Sequence, residues 1–165
     1  PHIMRGPSSK PFDGEGCRNE KLDIVRDGVL NCWVMDSASA RQLGLVANGR
    51  ASRGTSSPPS PSSTNLYIAP GALPPDELIA DIKSGFYVTD LIGMGVNGIT
   101  GDYSRGAGGF WIENGKISFP VNEITIASNL KDMFMKMTAA SDLELKYGTD
   151  APTLRVEGMT IAGEK

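Results

Sequence analysis

The chain has 165 residues, a net charge of -3 and a hydrophobic fraction of 39%. That length suits one domain with a core of its own, without disulfide or metal support. The acidic balance, with Arg41, Arg50, Arg53 and Arg105 dispersed, gives no electrostatic footprint for direct contact with nucleic acid, and no run of about 18 apolar residues is present to span a membrane as a helix.

Residues 1–19 are rich in Pro, Gly and Ser and read as an irregular arm. The chain opens at Pro1 rather than Met and without a charged-then-apolar leader, which reads as a fragment or a processed product. With only two cysteines, Cys17 and Cys32, this favours a cytoplasmic location. The first clear element is a hairpin: Leu22 and Ile24 lead into an Asp27-Gly28 turn, and Val29 to Met35 returns with Trp33 buried. Asp36 is an N-cap for a short helix over residues 37–43 that Gly44 ends.

Residues 47–64 include Ser56-Ser57-Pro58-Pro59-Ser60-Pro61-Ser62-Ser63. Such a stretch supplies no core side chains and reads as a flexible surface loop. A strand resumes over 65–69. Pro74-Pro75-Asp76-Glu77 then opens a helix, since proline and early acids suit a helix N-terminus; it runs to about Ser84, and Gly85 closes it. Residues 86–90 read as a strand. Gly109 to Glu113, Asn114-Gly115 and Lys116 to Phe119 form a second hairpin. Strands are expected over 123–128, 143–146, 153–156 and 159–162, and a short apolar helix over 130–137. The expected fold class is mostly β (α+β): an antiparallel sheet, barrel- or sandwich-like, with two or three short helices.

The chemistry-bearing patterns are few. Gly93-Met94-Gly95-Val96-Asn97-Gly98 fits G-x-G-x-x-G, but a dinucleotide site needs a helix after it, and Ile99 to Tyr103 is not helical in pattern. The glycines read instead as positive-φ or close-approach positions. Cys17, Cys32 and His2 could make a three-ligand zinc site, although their spacing fits two ordinary thiols and a terminal histidine better. His2 is the only histidine and no G-x-S-x-G elbow occurs, so a serine hydrolase reading lacks its base. No pair among the carboxylates is singled out by spacing. The apolar stripe in Leu130 to Met137 reads as core packing, with a soft binding surface as the alternative.

The densest polar cluster is Gly101-Asp102-Tyr103-Ser104-Arg105-Gly106. Two readings stand side by side: backbone left open to a peptide or a facing subunit, or an exposed Asp102–Arg105 ion pair on a solvated turn.

Several stretches carry a resemblance. They are Ser9 to Gly16 (SKPFDGEG), Asp23 to Leu30 (DIVRDGVL), Ser39 to Gly44 (SARQLG) and, most specifically, Val96 to Gly115 (VNGITGDYSRGAGGFWIENG). This last runs on through Pro120-Val121 to Glu123 to Ala127 and Asn129 to Met133. Together they resemble the PmbA (TldE) branch of the TldD/PmbA family over nearly the whole chain, residues 1–165 corresponding to a C-terminal domain. The resemblance implies a TldD–TldE heterodimer acting as a zinc metallopeptidase on unfolded or short peptides, with an older link to DNA gyrase modulation. In the TldD branch the zinc is held by an H-E-x-x-x-H motif and by a cysteine between stretches like Asp142-Leu143-Glu144-Leu145 and Pro152-Thr153-Leu154. Here that interval reads Lys146-Tyr147-Gly148-Thr149-Asp150-Ala151, without a cysteine.

The expectations that follow are a non-catalytic subunit domain with no catalytic or metal residue of its own and zinc in a TldD-like partner. The peptide-binding candidates are Asp102, Tyr103, Ser104, Arg105 and Gly106, acting through edge-strand addition. Expected partners are the TldD-like catalytic subunit and a peptide, with no nucleic acid and no membrane; a homodimer of the isolated chain stays open. The alternative is an interaction module that modulates gyrase without peptidase activity.

Overall fold

The structure, a computed structural model, describes residues 1–163. In chain order the elements are β1 (Val25–Arg26), β2 (Val29–Leu30), α1 (Ser37–Leu43), β3 (Ala51–Ser52), β4 (Ser60–Pro61), β5 (Leu66–Tyr67) and α2 (Pro75–Ile79). There follow β6 (Ser84–Ile92), β7 (Asp102–Glu113), β8 (Lys116–Asn129), α3 (Leu130–Met135), β9 (Met137–Ala139), β10 (Thr149–Asp150), β11 (Leu154–Val156) and β12 (Thr160–Ala162). The chain is thus α+β and mostly β, with three short helices. It divides into two compact units, one of Pro1–Ile68 with Glu144–Ala151, the other of Ala69–Leu143 with the residues from Pro152 onward.

In the first unit β1 and β2 pair antiparallel, Val25 opposite Leu30. Asp27 (φ 51°) and Gly28 (φ 77°) both occupy the left-handed region that a two-residue hairpin turn requires. The return strand is shorter than its apolar pattern implies. The ladder stops after Asn31 N–H donates to the Ile24 carbonyl, and Trp33, expected in the core, is 57% exposed. The α1 helix forms as its caps dictate: the Asp36 carboxylate accepts from the Ser39 amide at 2.7 Å, and Gly44 ends it in the left-handed conformation.

Polar side chains organise the interior of this unit. Asn19 is fully buried. Its amide donates to the Lys10 carbonyl at 3.1 Å and its oxygen accepts from Arg50 at 2.9 Å. Arg50 also donates to the carbonyls of Gly49 and Glu20. The Asp13 carboxylate accepts from the amides of Glu15, Cys17 and Ala51. These bonds tie the irregular opening residues to the start of the Ser/Pro segment, which itself pairs β3 antiparallel to β4. The unit's other ladder is parallel, β5 against β10.

The second unit is built on an open four-stranded antiparallel sheet in the order β12-β8-β7-β6. Among the described residues no strands close into a barrel. The Asn114-Gly115 turn, φ 49° and 77°, joins β7 to β8 as its chemistry predicts. The strands run far beyond the predicted hairpin, because Gly108, Gly109 and Pro120 sit within the ladder beside register shifts rather than ending it. Ala107, Ile124 and Ile126 form the buried cluster, with Phe86, Tyr103, Val121 and Met159 packed on it.

Three further expectations are corrected. The α2 helix ends at Ile79 rather than near Ser84, because Ser84 and Gly85 are taken into the β6 ladder opposite Glu113 and Ile112. Residues 143–146 form no strand, since the Asp150 carboxylate gathers the amides of Lys146, Tyr147 and Gly148 into a turn. The apolar stripe of α3 is not core: none of its residues is buried, and Phe134 and Met135 are 64% and 77% exposed.

Candidate functional site

The cluster from Asp102 to Gly106 forms the first half of β7, an interior strand. On one side it pairs with β8, Tyr103 opposite Ser128 and Arg105 opposite Ile126. On the other side β6 reaches only to Gly106, opposite Ile92, and the glycine-rich segment takes over. The Ser104 amide donates to the Gly95 carbonyl at 2.7 Å, and the Asn97 amide to the Asp102 carbonyl at 2.9 Å. Val96 bridges Tyr103. No helix follows the G-x-G-x-x-G pattern; residues 98–100 are a turn. Gly95 is there for close approach: a Cβ would stand 1.5 Å from the Ser104 carbonyl oxygen.

The expected edge-strand addition at this segment is therefore corrected, because the backbone groups it would use are taken by β8 and by residues 95–97. The outer side of β6 is a free edge within this unit, since β6 is laddered only to β7.

Side chains alternate across the strand. Asp102 and Ser104 are exposed, while Tyr103 and Arg105 are partly buried. Asp102 and Arg105 do not pair, and none of the ion pairs among the described residues includes Arg105. Instead the Asp102 carboxylate accepts from the Thr100 hydroxyl at 2.7 Å and from the Asn129 amide at 3.5 Å. Arg105 donates from Nη2 to the Leu91 carbonyl at a long 3.4 Å, and its Nε–H is buried without an acceptor.

One residue that the sequence reading passed over organises this end of the sheet. The Asn129 amide donates to the Thr100 carbonyl at 3.0 Å, and its oxygen accepts from Lys131 as the N-cap of α3. Beside it the Leu130 amide donates to the Gly101 carbonyl at 2.7 Å. An asparagine directly before a helical pattern was the available signal.

The described residues hold no group of three or more His, Cys, Asp or Glu that could bind a metal ion. His2 Nε2 lies 2.8 Å from the Asn19 carbonyl, and both cysteines are free thiols. The zinc that the family resemblance implies does not fit here. Where the cysteine ligand would fall, Asp150 spends its carboxylate on three backbone amides at 2.9 to 3.2 Å. Those bonds, the Tyr147 amide first, hold its carboxyl below the usual range.

The comparisons agree with this architecture. Residues 1–163 match the model of the PmbA/TldA metallopeptidase C-terminal domain, and the chain belongs to the TldD/PmbA metallopeptidase family. It is 44% identical to Metalloprotease PmbA of Escherichia coli O157:H7 over 99% of its length. It is 40% identical to the Metalloprotease PmbA homolog of Haemophilus influenzae. A TldD homolog from that organism is only 27% identical, so the chain stands on the PmbA side. It spans about a third of these curated relatives, 35% of the PmbA sequence. The crystal structure of a Thermotoga maritima MSB8 protein, named as a modulator of DNA gyrase, superposes with a TM-score of 0.86. That pair is 32% identical over 98% of this chain and 37% of the other. TldE of Thermococcus kodakarensis shares the fold at a TM-score of 0.80 and 22% identity, over 93% of this chain and 36% of that one. Among the described residues no helix is long and apolar enough to cross a membrane.

Proposed function

We propose that this chain is the C-terminal domain of a non-catalytic, TldE-like subunit in a cytoplasmic heterodimeric zinc metallopeptidase that cleaves unfolded or short peptides. In this reading the zinc and its ligands belong to a TldD-like subunit. The chain contributes to the dimer and to the chamber that receives the peptide. Asp102, Tyr103, Ser104, Arg105 and Gly106 form the segment nearest the peptide, with side chains rather than the laddered backbone making the contacts. The observation that carries the reading is the 146–151 turn: it offers no sulfur, and its one carboxylate is committed to backbone amides. The two free thiols suit a reducing compartment.

The test is zinc content and peptidase activity of the full-length protein, alone and mixed with a TldD-like subunit. Stoichiometric zinc and turnover only in the mixture are expected. Zinc and turnover in the protein alone would overturn the reading. Within the active mixture, Arg105→Ala and Tyr103→Ala are expected to slow peptide turnover.

A second reading, a module that modulates DNA gyrase without peptidase activity, draws on the names of two solved relatives. Its mark is a pull-down that recovers gyrase and no TldD-like subunit.

A further inference from the structure

We infer that Arg105 is a carboxylate receptor: its guanidinium pairs with a carboxylate of the bound peptide, either the free C-terminus or an acidic side chain. This rests on the peptide-binding role proposed above and names the chemistry that the peptide must bring.

Arg105 is held in place by its stem and left without a partner at its head. It sits on the side of β7 that faces Ile126, which is in turn paired with Ile161 of β12, so the aliphatic stem runs over apolar neighbours. A carboxylate fork fits the guanidinium end-on, at Nη1 and Nη2. Nε–H is closed to atoms the size of water and has no acceptor, so a ligand oxygen meets the group from the Nη side. There Nη2 has only the 3.4 Å contact to the Leu91 carbonyl, and no ion pair among the described residues holds the charge. A guanidinium so weakly engaged is free to take a carboxylate.

The surroundings favour an extended chain as that ligand. Leu91 ends the reach of Arg105 and lies in β6, whose outer edge is free within this unit. Beside it Leu91, Ile92, Met94 and Val96 expose apolar side chains. A peptide lying along such an edge gains main-chain and apolar contacts of little sequence selectivity; the arginine adds a charge requirement.

The experiment uses the assembled two-subunit protein, stripped of zinc by chelator so that peptides survive. Binding of labelled short peptides is read by fluorescence anisotropy, comparing a free C-terminus with a carboxamide, and Asp or Glu in the peptide with Asn or Gln. One of these changes is expected to weaken binding to the native protein about tenfold, the scale of one charge-assisted hydrogen bond, and to leave binding to R105Q almost unchanged. Which change does so identifies the source of the carboxylate. R105K keeps the charge without the fork, so it is expected to recover part of the loss. The melting temperature of R105Q is expected to hold or rise, because an unsatisfied buried donor has been removed.

If neither peptide change matters while R105Q and Y103A still weaken binding, the carboxylate inference falls and the peptide site stands. If peptides bind native, R105Q and Y103A alike, both fall. Loss of subunit association in R105Q would assign the carboxylate to the partner protein and overturn the inference. A melting temperature lowered by more than about 5 °C in R105Q, the scale of a lost structural interaction, would do the same.

Discussion

Single side chains close much of this structure, and the polar ones at turns and caps do so by local chemistry. Asp36, Asn114-Gly115 and Asp27-Gly28 act as their residue types dictate, because each bond lies within a few positions along the chain. Asn129 serves as a cap and as a cross-link to Thr100. Asn129→Ala is therefore expected to lower stability by about 1 to 2 kcal/mol, and Asn129→Asp to keep the cap while losing the bond to the Thr100 carbonyl. Chemical denaturation of the three proteins measures this. Trp33 and Arg105 were not legible in the same way, since their exposure depends on which distant strands arrive beside them. Acid sensitivity also belongs at this scale. Hydrogen bonds from the Tyr147 amide to Asp150, and from the Thr153 hydroxyl to Asp142, hold both carboxyls below the usual 3.8. A carboxyl depressed in the folded state stabilises it fully above its unfolded pKa and loses that contribution as pH falls through the folded value. Thermal stability is expected to be flat above about pH 5 and to fall below 3.8. Asp150→Asn is expected to flatten that acid limb, as melting curves across the range would show.

Elements were read well where periodicity was short and poorly where glycine and proline interrupted it. The second hairpin was visible from its turn, but the length of β7 and β8 was not. Gly108, Gly109 and Pro120 look like breaks in sequence, yet the bulges absorb them. The α2 helix failed in the opposite sense, cut short because β6 takes Ser84 and Gly85 into its ladder with residues of β7 from far along the chain. The long strands are held by the Ala107, Ile124 and Ile126 cluster. Ile124→Ala is expected to cost about 3 kcal/mol through lost burial and the cavity left behind, measured by urea unfolding. Gly95→Ala acts differently: its Cβ would meet the Ser104 carbonyl oxygen. It is expected to release residues 95–97 from β7, read as faster amide exchange at Ser104 and Asn97.

At the scale of the molecule, composition and charge gave no footprint for nucleic acid and no apolar run long enough for a spanning helix, but identified no activity. The string from Val96 to Gly115 carried the functional information, and it did so by likeness to a family rather than by its chemistry. Where that string sits was beyond reach, because a strand's neighbours are set by contacts from far along the chain. Hence the candidate residues are legible as one cluster along the chain, while the proposal for how they meet a peptide moves from backbone to side chains.

The ladder between β5 and β10 bears on how this protein is made. Leu66 pairs with Thr149 and Tyr67 with Asp150, so a unit whose other residues all precede the four-stranded sheet in the chain needs residues that follow β8 to be complete. On the ribosome, this unit must wait, unfinished, while the whole four-stranded sheet except β12 emerges. Vectorial, unit-by-unit folding is closed to it; the partially built unit is the stage at which a chaperone or a protease would meet the nascent chain.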